Sequence, residues 1–160
     1  MSILFTILKY WIFSLLLIVI SCSSNSSNKK QQESEERSVE EIYNSAMDYI
    51  NDNKYSKAHD EFIEVERLHP YSIWATRSQI MTSYVNYKLN KYADSVSGAK
   101  RYIELHPGAS DIDYAYYLIA LNYYEQINDY RRDQSFTRNA LESFNNLIRR
   151  FPNSDYSKDA

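Results

Sequence analysis

Cys22 is the only cysteine among the 160 residues, and its thiol is a group that can carry a covalent lipid. It follows Val19-Ile20-Ser21, which places a branched apolar residue, a tolerant position and a small residue before the cysteine. This spacing looks like a lipobox, so residues 1–21 are predicted to be a signal peptide and Cys22 a lipid-bearing N-terminus. With its one thiol lipidated the chain has no internal disulfide, and packing must stabilise its fold.

A membrane-spanning anchor is the alternative interpretation of this N-terminal segment. The apolar run after Lys9 covers residues 10–20, which is shorter than the roughly 20 residues that a spanning helix needs. Residues 1–8 are also apolar, so an uncleaved span that contains Lys9 stays open. Residues 23–37 contain no apolar residue, and a segment of this composition predicts a disordered tether, here 22–37, between the lipid and the rest of the chain.

No side chains in the sequence are spaced for catalysis or for metal binding. His59, His69 and His106 are separated along the chain and have no cysteine partner, whereas metal ligands must converge. The two glycines cannot form a phosphate-binding loop. The net charge is −3 with no block of Lys and Arg, which argues against nucleic-acid binding. We therefore expect a non-enzymatic protein with no cofactor apart from a covalent lipid, such as palmitate, on Cys22.

An internal repeat organises the residues after the tether. The recurring segments are Asn53-Lys54-Tyr55 with Asn90-Lys91-Tyr92, His69-Pro70 with His106-Pro107, and Ala58, Phe62 and Pro70 with Ala140, Phe144 and Pro152. The pattern resembles the tetratricopeptide repeat, a helix-turn-helix unit that stacks into a superhelix. The predicted fold class is therefore all-α, a superhelix of stacked antiparallel helix pairs.

The predicted repeats cover 38–70, 71–107 and 111–152, and a fourth repeat starts at 154–160. Ser38 and Glu41 form an S-x-x-E pattern that predicts the start of the first helix. The second helices are expected at about 56–68, 93–105 and 134–150. Repeat two departs from the pattern, because Ser95 and Ala99 occupy the positions of Ala and Phe. Because a fourth repeat only begins, we expect this chain to be a fragment with about three complete repeats.

The first helices of such a superhelix line its concave face, which usually binds ligands. The residues expected on that face are Tyr43, Met47, Gln79, Thr82, Tyr114, Tyr117, Leu121 and Tyr124. This aromatic and weakly polar groove suits an extended peptide with apolar or aromatic side chains. The alternative is that the tyrosines only pack between helices.

Arg131 and Arg132 lie in the densest charge cluster of the repeats, residues 129–134. One interpretation is a solvated loop in which Asp133 caps the following helix. The other is that these arginines dock a partner, because the forked donors of arginine suit carboxylates.

Taken in order, several segments resemble the BamD family of outer-membrane protein assembly lipoproteins. They are His69-Pro70-Tyr71-Ser72-x-Trp74-Ala75, Tyr102-Ile103-x-Leu105-His106-Pro107, Asp113-Tyr114-Ala115-Tyr116-Tyr117-Leu118, Ala120-Leu121, Arg132-Asp133-Gln134, Thr137, Ala140-Leu141 and Arg150-Phe151-Pro152-Asn153-Ser154-x-Tyr156. The resemblance covers about residues 38–160, the whole repeat region.

This resemblance implies a five-repeat adaptor that is lipid-anchored on the periplasmic face of the outer membrane. Its partners would be a BamA-like barrel assembly subunit, the other Bam lipoproteins and unfolded segments of outer-membrane proteins. The N-terminal repeats would face the substrate, and this chain would keep that half. The first alternative is another periplasmic tetratricopeptide lipoprotein, such as a pilotin-like factor for secretin or pilus assembly. The second is an enzyme whose catalytic domain lies beyond residue 160.

Replacing the lipidated thiol tests the predicted anchor. We expect Cys22→Ala to release the protein into the soluble periplasm or to leave it unprocessed, because no lipid can then be attached. Membrane fractionation and metabolic lipid labelling measure both results, with Ser24→Ala in the tether as the control. Unchanged fractionation of Cys22→Ala, together with no lipid label on the unaltered chain, would contradict the prediction.

Overall fold

The computed structural model of the chain describes residues 37–127 and 134–160. The predicted signal peptide, Cys22 and the tether up to residue 36 lie outside the described residues, as do Arg131 and Arg132. The regular elements of the described part are all helices: α1 (Val39–Asn51), α2 (Tyr55–Leu68), α3 (Ile73–Lys88), α4 (Tyr92–Leu105), α5 (Ile112–Tyr124), α6 (Ser135–Arg150) and α7 (Asp155–Asp159). The predicted all-α class is confirmed.

Consecutive helices pack against one another from α1 to α7. The first helices also contact one another from repeat to repeat, α1 with α3, α3 with α5 and α5 with α7, whereas within the described ranges no contacts join α2 to α4 or α4 to α6. This pattern of contacts curves the stack, with the first helices on its inner side. The helices form the predicted tetratricopeptide superhelix.

Local signals in the sequence fix where α1 begins. The Ser38 hydroxyl accepts a hydrogen bond from the Glu41 backbone N–H at 3.2 Å, and the Glu41 carboxylate accepts one from the Ser38 N–H at 2.7 Å. This reciprocal capping box satisfies two backbone donors that the first turn leaves free. Arg37, just before it, forms an ion pair with Glu61 of α2 at 3.0 Å. The predicted helix start at Ser38 is confirmed.

The repeated Asn-Lys-Tyr segments form the tight turn inside each of the first two repeats. Asn53 and Asn90 both have a φ of 59°, a left-handed conformation that asparagine tolerates better than most residues. Each asparagine side chain also accepts a hydrogen bond from the tyrosine two residues later, at 2.8 Å from Tyr55 and at 2.9 Å from Tyr92. The asparagine therefore recurs because the turn requires a residue that tolerates a left-handed backbone conformation.

The departure of repeat two from the pattern has a structural explanation in Ser95. This residue is fully buried, and its hydroxyl donates to the Ser83 carbonyl of α3 at 2.7 Å. The same hydroxyl accepts a hydrogen bond from the Asn122 amide of α5 at 2.9 Å. Serine at the alanine position thus joins three helices from two repeats. We call Ser83, Ser95 and Asn122 the polar clamp.

The turn at Asn90 can be tested by substitution. Asn90→Val should lower the free energy of unfolding by about 2 kcal/mol, because a β-branched residue is strained at positive φ and the Tyr92 hydroxyl loses its acceptor. Asn90→Gly should stay within about 1 kcal/mol of the unaltered chain, because glycine adopts this conformation freely. Urea unfolding measures both, with Asn145→Val on the exposed face of α6 as control. Equal losses for Asn90→Val and the control would show that the left-handed turn is not required.

Candidate peptide-binding groove

The residues predicted for the groove lie on three neighbouring first helices. Tyr43 and Met47 are on α1, Gln79 and Thr82 on α3, and the remaining four on α5. Because α1, α3 and α5 adjoin one another on the inner side of the stack, the structure brings these residues to one side of the superhelix. Arg131 and Arg132 stay a prediction, because they lie outside the described part of the chain.

Tyr43 lies at the junction between repeats one and two. The centre of its half-buried ring is 5.5 Å from that of Phe62 on α2 and 4.8 Å from that of Trp74 on α3. Burial raises the pKa of Tyr43. Met47, one turn further along α1, is also half-buried and packs on the cluster that contains Phe62. These two residues therefore combine packing with partial exposure.

The same aromatic arrangement recurs around Tyr117 of α5. Its ring lies 6.3 Å from Phe144 of α6 and stacks at 5.1 Å on Tyr156 of α7, and its hydroxyl donates to Asp159. Burial and this hydrogen bond raise the pKa of Tyr117 to about 12. We call Tyr43–Phe62–Trp74 and Tyr117–Phe144–Tyr156 the aromatic triads. The recurrence of Phe62 as Phe144 was visible in the sequence, but the contact across repeats was not.

The other α5 residues differ in how far they are open to a ligand. Tyr114 packs 5.3 Å from Tyr156, and burial raises the pKa of its hydroxyl. Leu121 is half-buried. Tyr124 is 57 % exposed, and the centre of its ring lies 6.3 Å from that of Phe144 in an edge-to-face arrangement. Three of the predicted tyrosines thus pack between helices, as the alternative interpretation expects, while each keeps part of its surface exposed. Tyr124 is the most open of the four.

The α3 part of the groove is polar. The Gln79 amide oxygen lies 2.9 Å from Nε2 of His106, which follows α4. The hydroxyl oxygen of Thr82 is buried and has no hydrogen-bond partner among the described residues. In the sequence, His106 stands out only as part of the recurring His-Pro pair, which lies just after α4. Its contact with Gln79 also links that turn to the groove.

Several tyrosine hydroxyls around the α3, α4 and α5 helices donate to carboxylates. Besides Tyr117, these are Tyr87 to Glu125 at 3.1 Å and Tyr102 to Asp111 at 2.5 Å.

In residues 37–127 and 134–160 no cluster of His, Cys, Asp and Glu could hold a metal ion. The helices of that same part are all too short or too polar to cross a membrane. The site is suited to reversible contact with apolar and hydrogen-bonding groups.

Comparison with known proteins shows the family of the chain. The family model of the YfiO outer membrane lipoproteins matches residues 35–160. The chain belongs to this family. It is therefore an outer-membrane lipoprotein, and the resemblance to the BamD family is confirmed. The family is one of assembly factors and not of enzymes, which also confirms the expected non-enzymatic character.

Individual members of the family are similar over most of this chain. The outer membrane protein assembly factor BamD of Caulobacter vibrioides is 44 % identical over 126 residues, which are 79 % of this chain and 41 % of the relative. The corresponding proteins of Rickettsia prowazekii and Neisseria gonorrhoeae are 36 % and 32 % identical, over 74 % and 79 % of this chain and 47 % and 51 % of their own lengths. The chain thus spans about half the length of these relatives.

The raised pKa of Tyr117 predicts a loss of stability at alkaline pH. The folded chain favours the neutral form of this tyrosine. Its contribution to the free energy of unfolding is therefore complete below the ordinary tyrosine pKa near 10, and it is lost as the pH rises towards 12. In Tyr117→Phe, which has no hydroxyl to ionise, the free energy of unfolding should fall less between pH 10 and 12. Urea unfolding over this pH range measures the effect, and tyrosinate absorbance follows the ionisation. Tyr71→Phe, altered at a fully exposed ring, is the control, and identical pH curves for both variants would contradict the prediction.

Proposed function

We propose that this chain is a non-catalytic adaptor of the machinery that inserts β-barrel proteins into the outer membrane. Membership of the family carries this proposal, because its relatives are named outer membrane protein assembly factors. The chain would bind unfolded segments of barrel proteins on its inner face. It would also contact a BamA-like barrel assembly subunit and the other lipoproteins of the complex, with Arg131 and Arg132 docking carboxylates of a partner.

The inner groove supports the binding of an extended segment. Met47, Leu121 and Tyr124 offer apolar surface that is only partly buried, and the partly buried Gln79 lies between them on α3 with a polar side chain. Extended peptides commonly dock in this way, with pockets for side chains and polar groups for the backbone. The aromatic triads, held between helices, would keep the walls of the groove in place.

The predicted lipid on Cys22 would confine this groove to the membrane surface. A coil of about 15 residues between the lipid and α1 has a root-mean-square span of roughly 20 Å. Confinement within this distance raises the effective concentration of the groove near the site of insertion without any added contact. The tether would therefore increase capture of a weakly bound segment.

The groove is tested by binding of a labelled, urea-denatured barrel protein that is diluted into the full-length chain. Tyr124→Ala and Met47→Ala should each weaken binding about five-fold or more, the effect of removing a central contact residue. Tyr71→Ala is the matched control, because this fully exposed aromatic residue lies in the turn between α2 and α3, outside the groove. Both groove variants should retain the helicity and the unfolding midpoint of the unaltered chain.

Affinity purification from membranes tests the proposed partners. The full-length chain should recover a barrel assembly subunit, and Arg131→Ala with Arg132→Ala should lower the amount recovered. Recovery of the chain without any such subunit would contradict the adaptor proposal. Unchanged binding of the denatured barrel protein by Tyr124→Ala and Met47→Ala would contradict the proposal that the inner groove binds unfolded segments.

A further inference from the structure

A second concave site lies on the outer side of the stack, away from the inner groove. It is a cleft of about 370 Å³ between α4 and α6, and α5 forms its floor. Tyr116, Ile119 and Tyr123 line the floor. Its volume lies within the range of ligand sites, which begins at about 300 Å³. We call this site the outer cleft.

Tyr116, on the floor of the cleft, is not part of an aromatic triad. Tyr116 occupies the position that Trp74 and Tyr156 hold in the two triads. Its partners there would be residues 75 and 99, but both are buried alanines. Tyr116 instead packs on Phe151 at 5.4 Å and beneath the Arg150 guanidinium at 5.3 Å. Tyr116 is therefore held by residues that follow α6 or end it, and it leaves part of its surface to the cleft.

The floor and the walls of the outer cleft differ in chemistry. The floor presents two tyrosine rings and one isoleucine on successive turns of α5. The α6 wall presents Asn139, Ser143 and Asn146, spaced so that all three lie on one face of the helix. The charged side chains of the lining are Lys100 and Glu104 on α4 and Glu142 on α6, one basic and two acidic. Apolar side chains suit the floor, and backbone amides suit the walls.

The length of the cleft limits what it can hold. Tyr116 and Tyr123 are seven residues apart on a helix, as are Asn139 and Asn146, so floor and wall each extend for about 10 Å. This is the length of roughly three residues of an extended chain. Alternate side chains of such a segment point to the same side, so two apolar residues with one residue between them would both face the floor.

We propose that the outer cleft binds a short extended segment in which apolar residues alternate with uncharged polar residues. The apolar side chains would lie between Tyr116, Ile119 and Tyr123, and the backbone would hydrogen-bond to Asn139 and Ser143. The source of the segment rests on the proposed function, since the strands of membrane β-barrels alternate in this way. The outer cleft then gives the chain a second contact with the substrate held in the inner groove.

Two synthetic peptides of identical composition test this specificity with the full-length chain in detergent. The first has leucine at its second and fourth positions, serine or threonine elsewhere, and blocked ends. The second has the two leucines adjacent, so that their side chains point to opposite sides. We expect the alternating peptide to bind at least about ten-fold more tightly, because only this peptide buries both leucines on the floor.

Variants of α6 locate the binding. Ser143→Arg should weaken binding of the alternating peptide at least about ten-fold by filling the cleft, and Asn139→Ala should weaken it about five-fold by removing a backbone partner. Asn145→Arg, on the exposed side of the same helix, is the matched control and should have no effect. A benzophenone in place of one leucine should cross-link to α5 or α6.

The results separate this inference from the proposed function. Three results would each overturn the proposal that the outer cleft binds this segment. They are equal affinity for both peptides, unchanged binding in Ser143→Arg, and cross-links confined to α1. Binding of the denatured barrel protein through Met47 and Tyr124 would survive that result. If the alternating peptide binds in the cleft but denatured barrel proteins do not bind the chain, the cleft stands and the adaptor proposal fails.

Discussion

The superhelix depends on the close approach of the two helices in each repeat. A small buried residue occupies matching positions on both helices of every complete repeat, and the pairs are Ala46 with Ala58, Ser78 with Ser95, and Ala120 with Ala140. A larger side chain at any of these positions would push the helix axes apart, because packed helices lie only about 8–10 Å from each other. The spacing set by these pairs allows the second helix of one repeat to reach the first helix of the next.

Local and periodic features of the fold could be predicted from the sequence. The second helices begin and end within one residue of the expected positions, because alanine, phenylalanine and proline recur at fixed intervals. The α1 cap followed from Ser38 and Glu41 alone. Each of these features depends on residues close together in the chain or on the repeat itself, and a single sequence contains both kinds of information.

The features that could not be predicted join residues that are far apart in the sequence. The Gln79 contact with His106 and the bond from Asn122 to Ser95 each connect residues 27 positions apart, and neither pair carries a local signal. The residues of the candidate groove lie on the first helices, as the repeat pattern predicts. The degree to which Tyr43, Tyr114 and Tyr117 pack against other helices could not be predicted. The outer cleft was missed because its lining comes from α4, α5 and α6, and no local signal brings these residues together.

The polar clamp has a mechanical consequence for the stack. Aromatic rings tolerate sliding and tilting over several geometries, so the junctions that contain the triads can yield to small rotations. Hydrogen bonds lose strength steeply with misalignment, and the junction between repeats two and three contains a buried one, from Asn122 to Ser95. The Ser95 hydroxyl is itself fixed within repeat two by its bond to the Ser83 carbonyl. Flexing of the superhelix is therefore unequal along its length. The central junction acts as a stiff joint, and changes in the width of the inner groove concentrate at the two junctions on either side.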